Sequence, residues 1–499
     1  ASKYLSSLEH IADELMRLDL LIHICLKRGR GHREQTSFGQ LKGLVISDEE
    51  VASLLMTSTR ESIADDSENS ESHELIERLN HLEKRIEARR EASREDGQLL
   101  MLTHLAEMFQ LGRLEEQCLM VCLAPEVDRR YDKLYAYLQD DVTCKRPTVD
   151  LVLSLLCQSL EEKVTLRRMF DPHAPLVKYE LISLVHQNAD APLPLIARSL
   201  KLDDRITSML LEQQAMDNRL LPWSRLVYPE EAGSLANISS GFADQSRDFL
   251  HASFSPRQTP QRRVVFNIYG PSGVGKQTLA AYFARELDLP LLIGDVEQLP
   301  VSSESVGRHL WLLAREAFLR PAVLCVRNFD LLLSDKQNNR AGALQALLEA
   351  LELFSQVTVL LSNRAWLPRG RLKNSTFVPL HLPVPDDAAR IELWKSHSDA
   401  YRYSGDFDFG AVSSQFRFTS GQISDALASA QDMALWRSPR DGTITVRELY
   451  AACRAQSNPK LTELTRKIEP RYQWNDIVLP PSAHEQLKEI CGQARNRHI

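Results

Sequence analysis

Residues 263–269 (Arg-Val-Val-Phe-Asn-Ile-Tyr) form the apolar, β-branched run of a strand, and Leu279 to Leu287 has the pattern of a helix. Between them lies Gly270-Pro271-Ser272-Gly273-Val274-Gly275-Lys276-Gln277-Thr278. A glycine, four residues, a second glycine and a lysine, set between strand and helix, make a loop that wraps a phosphate. The glycines remove the Cβ atoms that would keep successive backbone N–H groups from curling round an anion. The helix N-terminus adds its dipole, and Lys276 neutralises terminal phosphate charge. One position breaks the pattern. Gln277 stands where the loop normally carries a Ser or Thr whose hydroxyl coordinates Mg²⁺. Thr278 comes one residue late, about 100° round the helix, so poor metal coordination is expected here.

The 499 residues are too many for one core and correspond to roughly three domains. With 43% hydrophobic and 25% charged residues and a net charge of −7, the composition is globular, and its mild acidity argues against a role coating nucleic acid. No apolar run approaches the roughly 20 residues of a membrane span, and Ala1 to Asp13 is too polar for a secretory signal. The eight cysteines are scattered. The closest pair, Cys118 and Cys122, fits one helix face beside Leu114, Leu119 and Val121, with no further metal ligands nearby. A reduced, cytoplasmic protein is expected.

Ahead of the loop the chain reads as mainly helical. Leu5, Leu8, Ile11, Leu15, Leu18, Ile22 and Leu26 repeat at threes and fours, predicting a helix over 4–28 with a solvated basic tail (Lys27, Arg28, Arg30, Arg33). Ser47 to Leu55 reads as a capped short helix, Glu61 to Glu74 as an acidic, serine-rich linker, and Ile76 to Arg94 as a charged helix. From Gln98 to Leu221 short helices alternate with prolines, and Pro147 falls in the first turn of an apolar helix. Trp223 to Pro260 reads as a linker with a helical patch. Strand–helix alternation then runs from Arg262 to about Val384, with strands at 289–293, 322–326, 357–361 and 377–382, and helices continue to about Glu463.

Gly-Pro-Ser-Gly-Val-Gly-Lys, followed at the right spacing by Ala322-Val-Leu-Cys-Val-Arg-Asn-Phe-Asp-Leu-Leu-Leu333, resembles the phosphate loop and Walker B strand of the AAA+ ATPases. The resemblance covers about 262–463. It implies that Arg327 and Asn328 occupy the places of the two Walker B acids, with Asp330 at an accessory acid after a hydrophobic residue. It also implies a sensor-1 role for Ser362 or Asn363 and an arginine finger at Arg369 or Arg371. Phe418 to Ala430 is similar to the family's lid helix, although no arginine stands at its sensor-2 position. Glu469 to Pro480 resembles the lead-in to a second AAA+ module. Tyr131 to Leu220 resembles the winged-helix domain of a bacterial AAA+ group that accompanies contractile injection systems, and Ile196 to Leu211, with Arg198, Lys201 and Arg205 against Asp203 and Asp204, is its candidate recognition segment.

The expected fold is an α/β P-loop module with a helical lid behind a mainly α N-terminal region. Its boundaries are 1–97 (helical, acidic linker 61–74), 98–222 (winged-helix-like), 223–261 (linker), 262–395 (α/β core), 396–463 (lid) and 464–499 (start of a second module). The expected function is an ATP/ADP-binding module of a partner-remodelling or assembly ATPase, deficient in hydrolysis, with hydrolysis in a second module beyond residue 499. Two rivals stand beside it: an active ATPase using Asp330 and Thr278, and an interaction scaffold with an empty loop. A protein partner met through the N-terminal and winged-helix domains, with neither nucleic acid nor membrane, and a homo-oligomeric ring of six by family likeness complete the expectation.

Overall fold

The computed structural model describes residues 2–33, 68–185, 193–213, 215–231, 240–254, 263–299, 303–333, 340–405, 407–457 and 474–495. The chain divides into two compact units, Ala1–Asn218 and Arg219–Ile499. The expected helix at 47–55, the front of the acidic linker and residues 458–473 lie outside the described residues.

The first unit is helical. In order come α1 (Ser7–Arg33), α2 (Glu68–Glu95), α3 (Met101–Phe109), α4 (Arg113–Val127), α5 (Arg130–Leu138), α6 (Val149–Leu156), α7 (Leu160–Leu166) and α8 (Pro175–Lys178). A hairpin of β1 (Ile182–Val185) and β2 (Ser199–Leu202), then α9 (Asp204–Leu210), complete it. Residues 68–74, read as linker, already belong to α2, and acids at the front of a helix suit its dipole.

The face α1 buries is not the apolar stripe alone. Ile11, Leu18 and Ile22 are buried, but so are His10, Asp13, Glu14, Arg17 and Asp19, while Leu5 and Leu8 are exposed. Asp13, Glu14, Arg17 and Asp19 go inward because each finds a partner, whereas neither ring nitrogen of His10 has a hydrogen-bond partner among the described residues. Arg89 meets Asp13 and Glu9, Arg113 meets Glu14, and Asp19 accepts from Tyr131 Oη (2.8 Å) and Arg130 (2.7 Å). Cys118 and Cys122 lie buried on α4.

The segment 196–211, expected to carry the recognition helix, is instead a 3-10 turn at 195–197, the strand β2 and the short α9. Leu200 and Leu202 alternate into the core, and a period of two is a strand period. The helix-turn-helix lies earlier. Thr148 caps α6 through Leu151 N–H, Cys157 to Ser159 make the turn, and a Ser159/Glu162 capping box starts α7. Pro147 sits just before that cap, and its carbonyl accepts from Leu200 N–H at 2.7 Å.

The second unit is built on a six-stranded sheet. Its elements are β3 (Ser224–Val227), α10 (Ser240–Ser253), β4 (Arg263–Tyr269), α11 (Lys276–Glu286), β5 (Leu291–Asp295), α12 (Ser303–Leu319), β6 (Val323–Arg327), α13 (Arg340–Phe354), β7 (Val357–Ser362) and β8 (Ser375–His381). The strand order is β3-β5-β6-β7-β4-β8, all parallel except β3, which pairs antiparallel with β5. Residues 224–227, inside the stretch read as linker, are therefore an edge strand. Alternation sorts the two faces: Phe266, Ile293, Cys325 and Val359 pack with α10 and α11. Gly294, of opposite parity, faces α12, and a Cβ there would lie 2.5 Å from Leu313 Cδ2. Helices α14 (Asp387–Ser398), α15 (Phe409–Gln415), α16 (Ser420–Arg437) and α17 (Val446–Ser457) form a lid with its own core around Trp394, Phe416, Phe418, Ile423 and Leu449. The last described helix is α18 (Pro481–Arg495). Among the described residues no helix is long and apolar enough to cross a membrane.

Candidate functional site

Parallel strands end their carboxyl termini on one rim of the sheet, the place where open α/β sheets hold ligands. A cavity of about 420 Å³ lies there, lined by residues 272–273, 275–278, 327–328, 330 and 361–363 from the core and by His397, Ser420, Gly421 and Ser424 from the lid. That volume suits a small-molecule ligand.

The loop after β4 leaves from between its neighbours: Gly270 N–H reaches Ser362 O (3.3 Å) and Leu382 N–H reaches Tyr269 O (2.9 Å). Gly270, Gly273 and Gly275 have φ of +153°, +80° and +96°. A Cβ on Gly270 would lie 2.1 Å from Leu382 O, and one on Gly273 would lie 2.5 Å from Thr419 Oγ1. At Gly270 and Gly273 glycine is thus demanded by contact as well as by φ. Gly275 is the N-cap of α11 and Lys276 its first residue. The Lys276 ammonium donates to the carbonyls of Gly270 and Pro271 and to Asn363 Oδ1 (3.1 Å). Burial lowers its pKa, with the Asp330 carboxylate pulling the other way. Neutral acceptors therefore hold a cation that a phosphate oxygen would bind more strongly.

The two residues expected at the Walker B places part company. Arg327 lines the cavity, its side chain 40% exposed, with Nη1 3.7 Å from Asp295 Oδ2. Asn328 also borders the cavity, with φ +54°, but its amide donates to Asp295 Oδ1 (2.7 Å) and Glu297 Oε2 (3.2 Å). Asp330 lines the same cavity, in the 3-10 turn Phe329–Leu333. Its Oδ1 accepts from Asn363 N–H at 3.3 Å. Lys276, Asn363 and Asp330 form one connected group. Of the two sensor-1 candidates, Ser362 is buried, its hydroxyl 2.7 Å from Arg364 O and 3.2 Å from Asn267 Oδ1, whereas Asn363 meets the lysine.

Arg369 and Arg371 are exposed on the 363–374 loop and do not line the cavity. Trp366, edge-on to Phe329 and Phe377, roots that loop, and Glu352 binds Lys373 N–H, Asn374 N–H and Ser375 Oγ at its far end.

Sequence reasoning missed the lid's contribution. Gly421 N–H donates to Gly273 O (2.8 Å), which joins α16 to the phosphate loop. His397 Nε2 lies 3.0 Å from Ser420 Oγ, and burial lowers its pKa. The Thr419-x-x-Gln422 capping box was the available signal for where α16 starts. Nothing local marks His397.

Comparison with known proteins agrees with this layout. Residues 1–224 match the family model "Winged helix domain, variant", residues 266–379 match "ATPase family associated with various cellular activities (AAA)", and residues 386–459 match "Contractile injection system ATPase helical domain". The chain is 24% identical over 373 residues to the 26S proteasome subunit RPT4 of Saccharomyces cerevisiae, covering 68% of this chain and 80% of that one. It is 23% identical over 265 residues to the 26S proteasome regulatory subunit S10B homolog B of Arabidopsis thaliana, covering 46% and 65%.

Proposed function

The chain is an AAA+ ATPase-family protein with an N-terminal winged-helix domain, and on that premise we propose that its α/β module binds ATP or ADP without hydrolysing it, inside a ring that acts on a protein partner. The observation that carries this reading is the contrast at one cavity. The phosphate-binding half is complete, with Gly270, Gly273, Gly275 and Lys276 in place, while Arg327 and Asn328 supply no acid. The residues fit a nucleotide. The phosphates would meet residues 272–276 and the α11 N-terminus, and the lid residues His397, Ser420 and Gly421 would close beside them, where Gly421 N–H already meets Gly273 O. A bound triphosphate supplies negative charge for Lys276 to leave its carbonyl partners.

The exposure of Arg369 and Arg371, away from their own cavity, supports a ring in which they serve a neighbour's site. Two relatives named as proteasome subunits support assembly in general terms. Isothermal calorimetry and steady-state turnover on the same preparation test the reading. Saturable ATP or ADP binding without turnover is expected, weakened roughly tenfold to a hundredfold in Lys276→Ala. A second reading, an active site using Asp330 and Thr278, is favoured by the position of Asp330 beside Asn363 and Lys276. Turnover that Asp330→Asn abolishes would establish it instead.

A protein partner for the winged helix follows from α7. Its Leu160 and Val164 are 77% and 65% exposed on one face, with the exposed acids Glu161 and Glu162 beside them. A helix that reads DNA presents basic residues to it, and here Lys163, Arg167 and Arg168 are set against Glu161 and Glu162, with the exposed Leu160 and Val164 the larger feature. No shift of duplex DNA in gel electrophoresis at physiological salt is expected, and a salt-sensitive shift would overturn the assignment.

A further inference from the structure

The cavity's charges differ from those of an ordinary phosphate-loop site in a way that is internally consistent. Two protein groups usually hold Mg²⁺: the hydroxyl after the loop lysine and the acid ending the Walker B strand. Here the first is Gln277 and the second is Arg327. Asn328 is turned to Asp295 and Glu297. The remaining carboxylate on the cavity wall, Asp330, is engaged by the Asn363 amide and the lysine's charge. The residues present do not fit a magnesium ion.

They do fit the charge it would bring. A carboxylate holding Mg²⁺ presents a net charge of about +1 to the phosphates, and an arginine at the same place presents the same. Loss of either metal ligand alone would leave the site deficient. Loss of both, with a guanidinium in place of the acid, restores the balance. Arg327 is also available for the task. It lines the cavity, and its nearest ionic neighbour among the described residues is Asp295 Oδ2 at 3.7 Å, beyond hydrogen-bonding reach. The other Asp295 oxygen already accepts from Asn328 and from Glu297 N–H. Asp295 thus anchors the end of β6 and steers the guanidinium electrostatically without using up its donors. A planar fork of N–H groups is well suited to phosphate oxygens.

We propose that Arg327 takes the place of Mg²⁺ in this module, so that it binds the di- or triphosphate of a nucleotide free of metal; this rests on the nucleotide-binding reading above. The test is calorimetric titration of the full chain with ATP and with ADP, in excess Mg²⁺ and in EDTA. Affinities within about threefold of each other are expected, because the charge that matters is covalently present. In EDTA, Arg327→Ala should weaken binding roughly tenfold to a hundredfold and Arg327→Lys should recover part of the loss. The double variant Gln277→Ser with Arg327→Asp should bind in Mg²⁺ and fail in EDTA. Far-UV circular dichroism and thermal melting of each variant without nucleotide show that it is folded. Binding by the wild type only in Mg²⁺, or undiminished binding by Arg327→Ala in EDTA, overturns the inference while leaving nucleotide binding intact. No binding under either condition overturns both.

Discussion

Replacing Glu14 by alanine is expected to destabilise the N-terminal unit by about 3–5 kcal/mol, the cost of stripping a buried charge cluster of its counter-ion. The Glu14 carboxylate is 1% exposed. Its Oε2 lies 2.7 Å from Arg17 Nε, and its Oε1 lies 2.9 Å from Arg113 Nη2 and 3.8 Å from His10 Nε2. Without it Arg17, itself buried, keeps among the described residues a distant contact with Glu83 at 3.8 Å. Glu14→Gln keeps the volume and removes the charge alone. The measurement is favoured by an accident of composition: all six tryptophans lie at residue 223 or beyond, within the second unit. Amide exchange across Ser7–Arg33 and Arg113–Val127 should quicken while the tryptophan-monitored unfolding midpoint stays put. An unchanged exchange pattern would mean that water replaces the lost partner at little cost.

The same cluster makes this unit acid-labile. Burial pushes His10 down to about 4; Arg90 and Arg113 push the same way, while Glu14 and Asp13 oppose them. Between its ordinary value near 6.5 and about 4, the unfolded chain binds a proton that the folded unit refuses. Stability is therefore lost as pH falls through that window, by about 3 kcal/mol when both states are protonated. Burial raises the Glu14 carboxyl, but Arg17 and Arg113 more than offset it. Its contribution is present above the ordinary carboxylate range and is lost as pH falls below that range. His10→Phe should flatten the upper part of the profile and leave the lower part.

What could be read from the chain followed how local its causes were. The strand at 263–269, the glycine loop and the helix after it are set by neighbours in sequence, and β4 falls on the expected residues. The edge strand β3 was hidden because four residues carry little periodicity and its pairing partner, β5, lies some way along the chain. The helix α1 was visible as a helix, but its buried face was not, because Asp13, Glu14 and Asp19 are drawn inward by arginines from α2, α4 and α5. Within the site, spacing located Arg327, Asn328 and Asp330, whereas only the folded chain shows Asn328 turned to Asp295 and Asp330 beside Asn363. His397 arrives from the lid, a tertiary placement with no local signature.

Gly270→Ala should be the most damaging single methyl in the second unit, destabilising it by about 3–5 kcal/mol from collision and strain together. The new Cβ would lie 2.1 Å from the carbonyl oxygen of Leu382, which is backbone and has no rotamer by which to escape. To make room, β4 and β8 must separate where Leu382 N–H meets Tyr269 O, and the seven-residue pairing of Arg263–Tyr269 with Ser375–His381 opens from that end. Gly275→Ala supplies the control. Its φ is +96°, but nothing lies within 4 Å of the added atom, so it carries backbone strain alone, about 1–3 kcal/mol. If glycine mattered only for its conformational freedom, the two variants would be equally unstable. If contact decides, the tryptophan-monitored midpoint falls much further for Gly270→Ala, with exchange quickening first at 375–381, while Gly275→Ala keeps its sheet and loses affinity for nucleotide.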